Sequence, residues 1–122
     1  MAFYVIAEPA DQFGEWVEQQ RQPAPEPADD LARFGQEVFF ERAECSRCHA
    51  IKGTSATSNL GPDLTHLASR QTLAAGIIPN TRGHLGGWII NPQNIKPGNL
   101  MPSTHLTGEE LQALLVYLET LE

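Results

Sequence analysis

The stretch from residue 45 to residue 105 most constrains what this chain can fold into: it is dense in Gly, Pro, Asn, Ser and Thr, yet lies between two segments of clear helical periodicity. Long irregular stretches are uncommon in a compact domain, because buried backbone amides and carbonyls need partners. Such a stretch implies an organiser, a bound group around which loops wrap. Inside it, residues 63–70 read as a short helix and residues 85–91 as a helical turn or two.

The flanking segments are easier to place. Asp29 and Asp30 are good N-caps for a helix running to about Ala43, with Leu31, Phe34, Val38 and Phe39 on one face. Gly35 shares that face. An interior glycine costs a helix about 1 kcal/mol, so its expected use is to let another helix cross closely. The partner follows from Thr107-x-x-Glu110, a capping box opening a helix with Leu111, Leu114, Leu115, Leu118 and Leu121 in one stripe and Tyr117 at its edge. First and last helices should pack together.

Upstream, Phe3 to Ala7 (FYVIA) suggests a strand of about five residues with no partner strand, ended by Glu8-Pro9. Residues 11–21 suit a short helix presenting Phe13, Trp16 and Val17, and QPAPEPA at 22–28 must be extended and reads as a linker. Residues 1–21 therefore look like the end of something else. At 122 residues and 41% hydrophobic content the chain holds one ordinary domain with a short appendage.

Charge is unevenly spread. Residues 1–44 hold ten acids and three bases, and residues 106–122 hold four acids and no base. Between them, Arg47, Lys52, Arg70, Arg82 and Lys96 face the single acid Asp63, so the middle segment suits an anionic group or a partner's docking surface, against a background of solvated acidic helices. With a net charge of -7, nucleic acid is not an expected partner. No apolar run is long enough to span a membrane and no basic-then-apolar leader begins the sequence, so any targeting element is expected to lie outside this fragment.

The chemistry sits in Cys45-Ser46-Arg47-Cys48-His49, a CxxCH motif. Two thiols at this spacing can add across the two vinyl groups of a haem, and the adjoining histidine is then held beneath the iron as a ligand. The competing chemistries are a zinc site and a thiol redox pair. Zinc needs further ligands, but His66, His84 and His105 are scattered along the chain. A thiol redox centre wants a βαβ setting, which is absent. With both cysteines in one CxxC, no long-range disulfide within the chain is available.

An electron-carrying iron needs a sixth ligand that keeps its geometry in both oxidation states. Beyond position 1 the only methionine is Met101, in the stiff loop Lys96-Pro97-Gly98-Asn99-Leu100-Met101-Pro102. A thioether there favours ferrous iron and raises the potential. His105 and His84 are the alternatives.

Taken together, residues 29–122 resemble the class I cytochromes c, which implies an all-α fold with helices packed around one covalently bound haem c and long loops. Gly35 and Phe39 resemble the glycine and aromatic of that family's first helix, with Leu114 and Tyr117 as partners on the last. Gly61-Pro62 is similar to the dipeptide whose proline carbonyl accepts a hydrogen bond from the proximal histidine. Arg70 and Trp88 resemble the family's haem-propionate partners, and Met101 its axial methionine. The resemblance thus implies cofactor contacts at Cys45, Cys48, His49, Pro62, Arg70, Trp88 and Met101, with iron held by His49 and Met101.

A narrower likeness combines Met1-x-Phe3-x-Val5 and Phe13-x-x-Trp16 with the segment from Pro79-Asn80 to Met101-Pro102. It is similar to the junction in subunit II of caa-type cytochrome c oxidases, where a binuclear-copper (CuA) domain continues through a linker into a fused cytochrome c. The implied organisation is 1–21 as the close of that copper domain, 22–28 as linker and 29–122 as cytochrome domain. The implied role is to accept electrons from an external donor protein and pass them to the CuA centre, with catalysis left to the parent oxidase and its other subunits. The implied location is the periplasmic or outer face of a bacterial membrane, with the anchor in a missing part of the subunit. Only two lysines are present, unlike the lysine-ringed mitochondrial carrier, so a small, largely apolar donor interface is expected. The alternatives are a free-standing diffusible cytochrome c, an electron-transfer domain of another dehydrogenase, and a haem enzyme or gas sensor with an open iron position.

Overall fold

The structure is a computed structural model that describes residues 5–122. In chain order it has α1 (Ala10–Arg21), α2 (Asp30–Glu37), a π-helical turn (Val38–Arg42), a 3-10 turn (Cys45–Arg47), strands β1 (Thr72–Leu73) and β2 (Ile78–Pro79), then α3 (Arg82–Ile90), α4 (Pro92–Ile95) and α5 (Gly108–Glu119).

Two helices form the frame. Asp29 Oδ1 accepts from Ala32 N at 2.8 Å and so satisfies one of the free amides at the start of α2. At the start of α5 the capping box is complete, Glu110 N donating to Thr107 Oγ1 at 3.2 Å and Thr107 N to Glu110 Oε2 at 2.9 Å. The two helices cross at Gly35, where an added Cβ would stand 2.0 Å from Ala113 O and 2.8 Å from Tyr117 Cβ. Only a glycine permits that approach. One turn further on, Phe39 meets Tyr117 edge to face with centroids 6.0 Å apart.

Around this crossing Val38, Ile51, Leu85, Ile89, Leu114, Leu115, Leu118 and Leu121 close the core. Each such side chain contributes about 1.5–3 kcal/mol when fully buried. Leu31, expected on the inner face of α2, is 47% exposed and Ala32 is buried in its place. The π turn places Ala43 N on Val38 O, 2.9 Å away, which extends the helix up to the cysteine motif.

The fold is helical, as expected, with one small sheet that the sequence reading lacked. β1 and β2 pair antiparallel, Thr72 opposite Pro79 and Leu73 opposite Ile78, around a tip where Ala74, Ala75 and Gly76 all have positive φ. Residues 63–70 form successive turns instead of the expected helix. The reason is local competition: Asp63 Oδ1 takes both the amide of Thr65 (2.8 Å) and its hydroxyl (2.5 Å), while Thr65 Oγ1 accepts from Lys52 N at 2.8 Å.

At the N-terminal end, residues 5–7 are exposed and lie in no strand, contrary to the strand expected over 3–7; Phe3 and Met1 lie outside the described residues. The expected helix over 11–21 is present as α1, but it buries none of its residues. Segment 22–28 is extended, yet Pro27 within it is buried and Ala24 N donates to Lys52 O at 2.9 Å. No helix of the described residues is long and apolar enough to cross a membrane.

Candidate functional site

The site begins where the π turn after α2 stops. Glu44 takes the left-handed conformation, φ 50, a geometry that costs a non-glycine residue about 1–2 kcal/mol. It swings the chain out of the π turn into the Cys45–Arg47 turn. There Cys48 N and His49 N both donate to Cys45 O at 3.0 Å, so thiols and imidazole are wound into one tight bend. Cys45 packs against the core, and burial pushes its thiol up to about 11. A raised thiol pKa is the reverse of the lowered one that marks a reactive redox thiol.

The imidazole of His49 is gripped from one side. Its Nδ1 donates to Pro62 O at 2.7 Å, and since a carbonyl oxygen only accepts, this fixes the proton on Nδ1 and leaves Nε2 with a free lone pair. Gly61 lies flat against the ring: a Cβ there would stand 2.6 Å from His49 Cε1 and 2.8 Å from Nδ1. The same loop is tied down by Gly61 N on Cys48 O (2.6 Å) and Leu64 N on Ala50 O (2.8 Å).

Met101 lies in a separate braced unit. It is half-buried against the core, and its amide donates to Asn99 Oδ1 at 2.8 Å. Asn99 Nδ2 donates to Lys96 O at 2.6 Å, and Gln93 reaches across the loop, accepting from Gly98 N at 3.0 Å and donating to Asn99 O at 2.7 Å. Beyond the methionine, Thr104 Oγ1 donates to Ile89 O at 3.0 Å and ties the loop back to α3. Trp88, on that helix, is half-buried.

Arg70 is placed differently from the other site residues. Its guanidinium donates to Asp63 O, closing the 63–70 turns, and it lines a cleft of about 390 Å³ with Trp16, Lys52 and His66. Asn80 secures the same region, donating to Leu67 O (2.8 Å) and Arg70 O (2.9 Å). The structure thus joins Cys45, Cys48, His49 and Pro62 in one unit, Trp88 and Met101 in the α3-to-α5 segment, and Arg70 in the turns between. Sequence reasoning missed Gln93, Asn99, Asn80 and Thr104. Their signal was Asn, Gln and Thr side chains in Pro/Gly-rich loops, where such groups replace absent helix or sheet bonds.

Two of the other three histidines have polar partners elsewhere. His84 Nδ1 is 2.7 Å from Thr81 Oγ1, and His66 faces Glu122 O and Gln20 O. Among the described residues no group of three or more His, Cys, Asp or Glu side chains is arranged to hold a metal ion. The donor set instead fits a c-type haem: two thiols in one turn, an imidazole with Nε2 free, and a soft thioether on a braced loop.

The cytochrome c family profile matches residues 32–122. Across its whole length the chain is similar to cytochrome c oxidase subunit 2 of Alkalihalophilus pseudofirmus (37% identical), of Bacillus sp. strain PS3 (34%) and of Bacillus subtilis (30%). It spans 35% of the length of each of these relatives. In fold it is similar to the c-type cytochrome SorU of Sinorhizobium meliloti, with a TM-score of 0.54 and 24% identity over 75% of this chain and 91% of that one.

Proposed function

This chain belongs to the cytochrome c family and carries covalently bound haem c, and from that premise we propose that it is the electron-accepting domain of a cytochrome c oxidase subunit 2. It takes single electrons from an external donor protein and passes them to the CuA centre earlier in the same subunit. The observation that carries this reading is the likeness to oxidase subunit 2 over the entire chain, including the residues before the cytochrome domain. The domain works at the outer face of a bacterial membrane, anchored by other parts of the subunit.

When bound, the haem supplies a one-electron couple between ferric and ferrous iron. Cys45 and Cys48 would hold it by thioether bonds, and His49 Nε2 and Met101 would hold its iron. Pro62 O keeps the His49 ring in one orientation and, by accepting from Nδ1, leaves the Nε2 lone pair free to bind iron. Gln93 and Asn99 keep the Met101 loop from shifting. Ligands held this firmly change position little between oxidation states, which makes electron transfer fast. Arg70 and Trp88 would hold the haem propionates, Arg70 by turning its guanidinium from Asp63 O or sharing it.

The test is flash reduction of the haem in the intact oxidase, followed at the haem and copper absorption bands. Oxidation of the haem in step with reduction of the copper supports the role. A haem that exchanges electrons only with proteins in solution would make this a carrier of another kind.

A further inference from the structure

Segment 22–28 has the composition of a loose tether, yet the haem domain holds it at several points. Ala24 N donates to Lys52 O at 2.9 Å, Ala24 packs on the core, and Pro27 is buried. Pro23 sits on Gly53 so closely that a Cβ at Gly53 would be 2.7 Å from Pro23 Cβ. Gly53 also has φ +93, which other residues rarely adopt.

The same part of the domain grips the end of α1. The last carbonyls of a helix have no partner within it and take donors from elsewhere. Here the Lys52 ammonium donates to Arg21 O, and His66 Nε2 stands 3.1 Å from Gln20 O. Its other nitrogen, Nδ1, stands 2.7 Å from Glu122 O beside the end of α5, and the neutral ring, with one N–H, donates to one of these two carbonyls at a time. A lysine at a helix C-terminus also meets the negative end of the helix dipole. α1 buries none of its own residues and Trp16 only lines the shared cleft, so these polar contacts and the Pro23–Gly53 seat are what tie its end to the domain.

Resting on the function proposed above, we propose that Lys52 and His66 are positioning residues for electron transfer. They clamp the end of α1, and with it the part of the subunit that precedes α1, at a fixed attitude to the haem. Electrons then leave over a set distance, without waiting for a tethered domain to swing into contact.

The test uses the haem-loaded, full-length subunit in its oxidase. Spin labels at Gly14→Cys on α1 and Gly83→Cys on α3 report the arm, since a Cβ at either position meets nothing within 4 Å. The wild-type clamp and Lys52→Arg should give one narrow distance distribution and a haem-to-copper rate independent of solvent viscosity. Lys52→Met combined with His66→Phe should broaden the distribution. The rate should then fall in proportion to the docked fraction, on the order of tenfold, and become viscosity-dependent, with the haem potential unchanged. A broad distribution with the clamp intact, or a narrow one and an unchanged rate in the double variant, would overturn the proposal. A narrow distribution that the variants broaden, in an oxidase whose copper takes no electrons from the haem, upholds the clamp and sinks the oxidase role instead.

Discussion

The His49 ring is fixed between two consecutive residues, its Nδ1 bonded to Pro62 O at 2.7 Å and its face against Gly61, which has no room for a side chain. Orientation and tautomer of the imidazole are therefore decided by one dipeptide. Pro62→Ala keeps the carbonyl and should leave haem ligation intact. Gly61→Ala puts a methyl 2.6 Å from the ring, so the ring or the loop must move, at about 1–3 kcal/mol by the usual cost of overpacking. Denaturant unfolding of the haem-loaded protein measures this; equal stability of the two variants would show that the loop yields freely.

The same reasoning applies at the helix crossing. Gly35→Ala improves helix propensity by about 1 kcal/mol, but its methyl would fall 2.0 Å from Ala113 O, which is backbone and cannot swing aside. The helices must separate, so a net loss of about 3 kcal/mol or more is expected. A midpoint of thermal unfolding at or above that of the wild type would contradict the crossing.

For Asp63, burial pushes the carboxyl up, but the Thr65 hydroxyl and amide, with Arg70 and His66 nearby, outweigh it and leave the pKa below the usual carboxylate value. A lowered folded-state pKa means that Asp63 stabilises the fold fully above the unfolded value of about 3.9. That contribution fades as pH falls through the lower, folded value. Asp63→Asn should therefore be less stable than wild type near neutrality, with the two curves converging in acid. Parallel stability curves across that range would show that the carboxylate charge is irrelevant.

The capping box gives a smaller effect. Thr107→Ala leaves Glu110 N without its side-chain acceptor at the start of α5 and should cost about 1 kcal/mol. Thr107→Ser keeps the hydroxyl and should recover most of it, as measured by the shift in unfolding midpoint.

Gln93 holds the methionine loop from the opposite side. With Met101 as the proposed iron ligand, Gln93→Ala should loosen its hold, so that carbon monoxide binds the reduced protein faster than it binds wild type. Unchanged binding would mean that Asn99 and Thr104 alone suffice.

Much of this was legible in the sequence because it depends on short-range rules. Cys45, Cys48 and His49 announce their chemistry by spacing, Thr107 and Glu110 their cap, and Gly35 the helix crossing by its place on an apolar face. Residues 63–70 misled because Asp63 and Thr65 bond to each other and to Lys52, a contact across the chain that periodicity does not encode. The hairpin at 72–79 was missed because its strands have two residues each, too short for alternation to register. Segment 22–28 was rightly extended, but its anchoring by Lys52 and Gly53 depends on tertiary contacts.

The most direct measurement is the visible spectrum of the haem-loaded protein, oxidised and reduced, beside that of Met101→Ala. Iron held by His49 and Met101 predicts sharp low-spin bands when reduced and, when oxidised, a weak far-red band of sulfur-to-iron ligation that Met101→Ala abolishes. Low-spin bands without the far-red feature in the wild type would contradict it and assign the sixth position to His84 or His105.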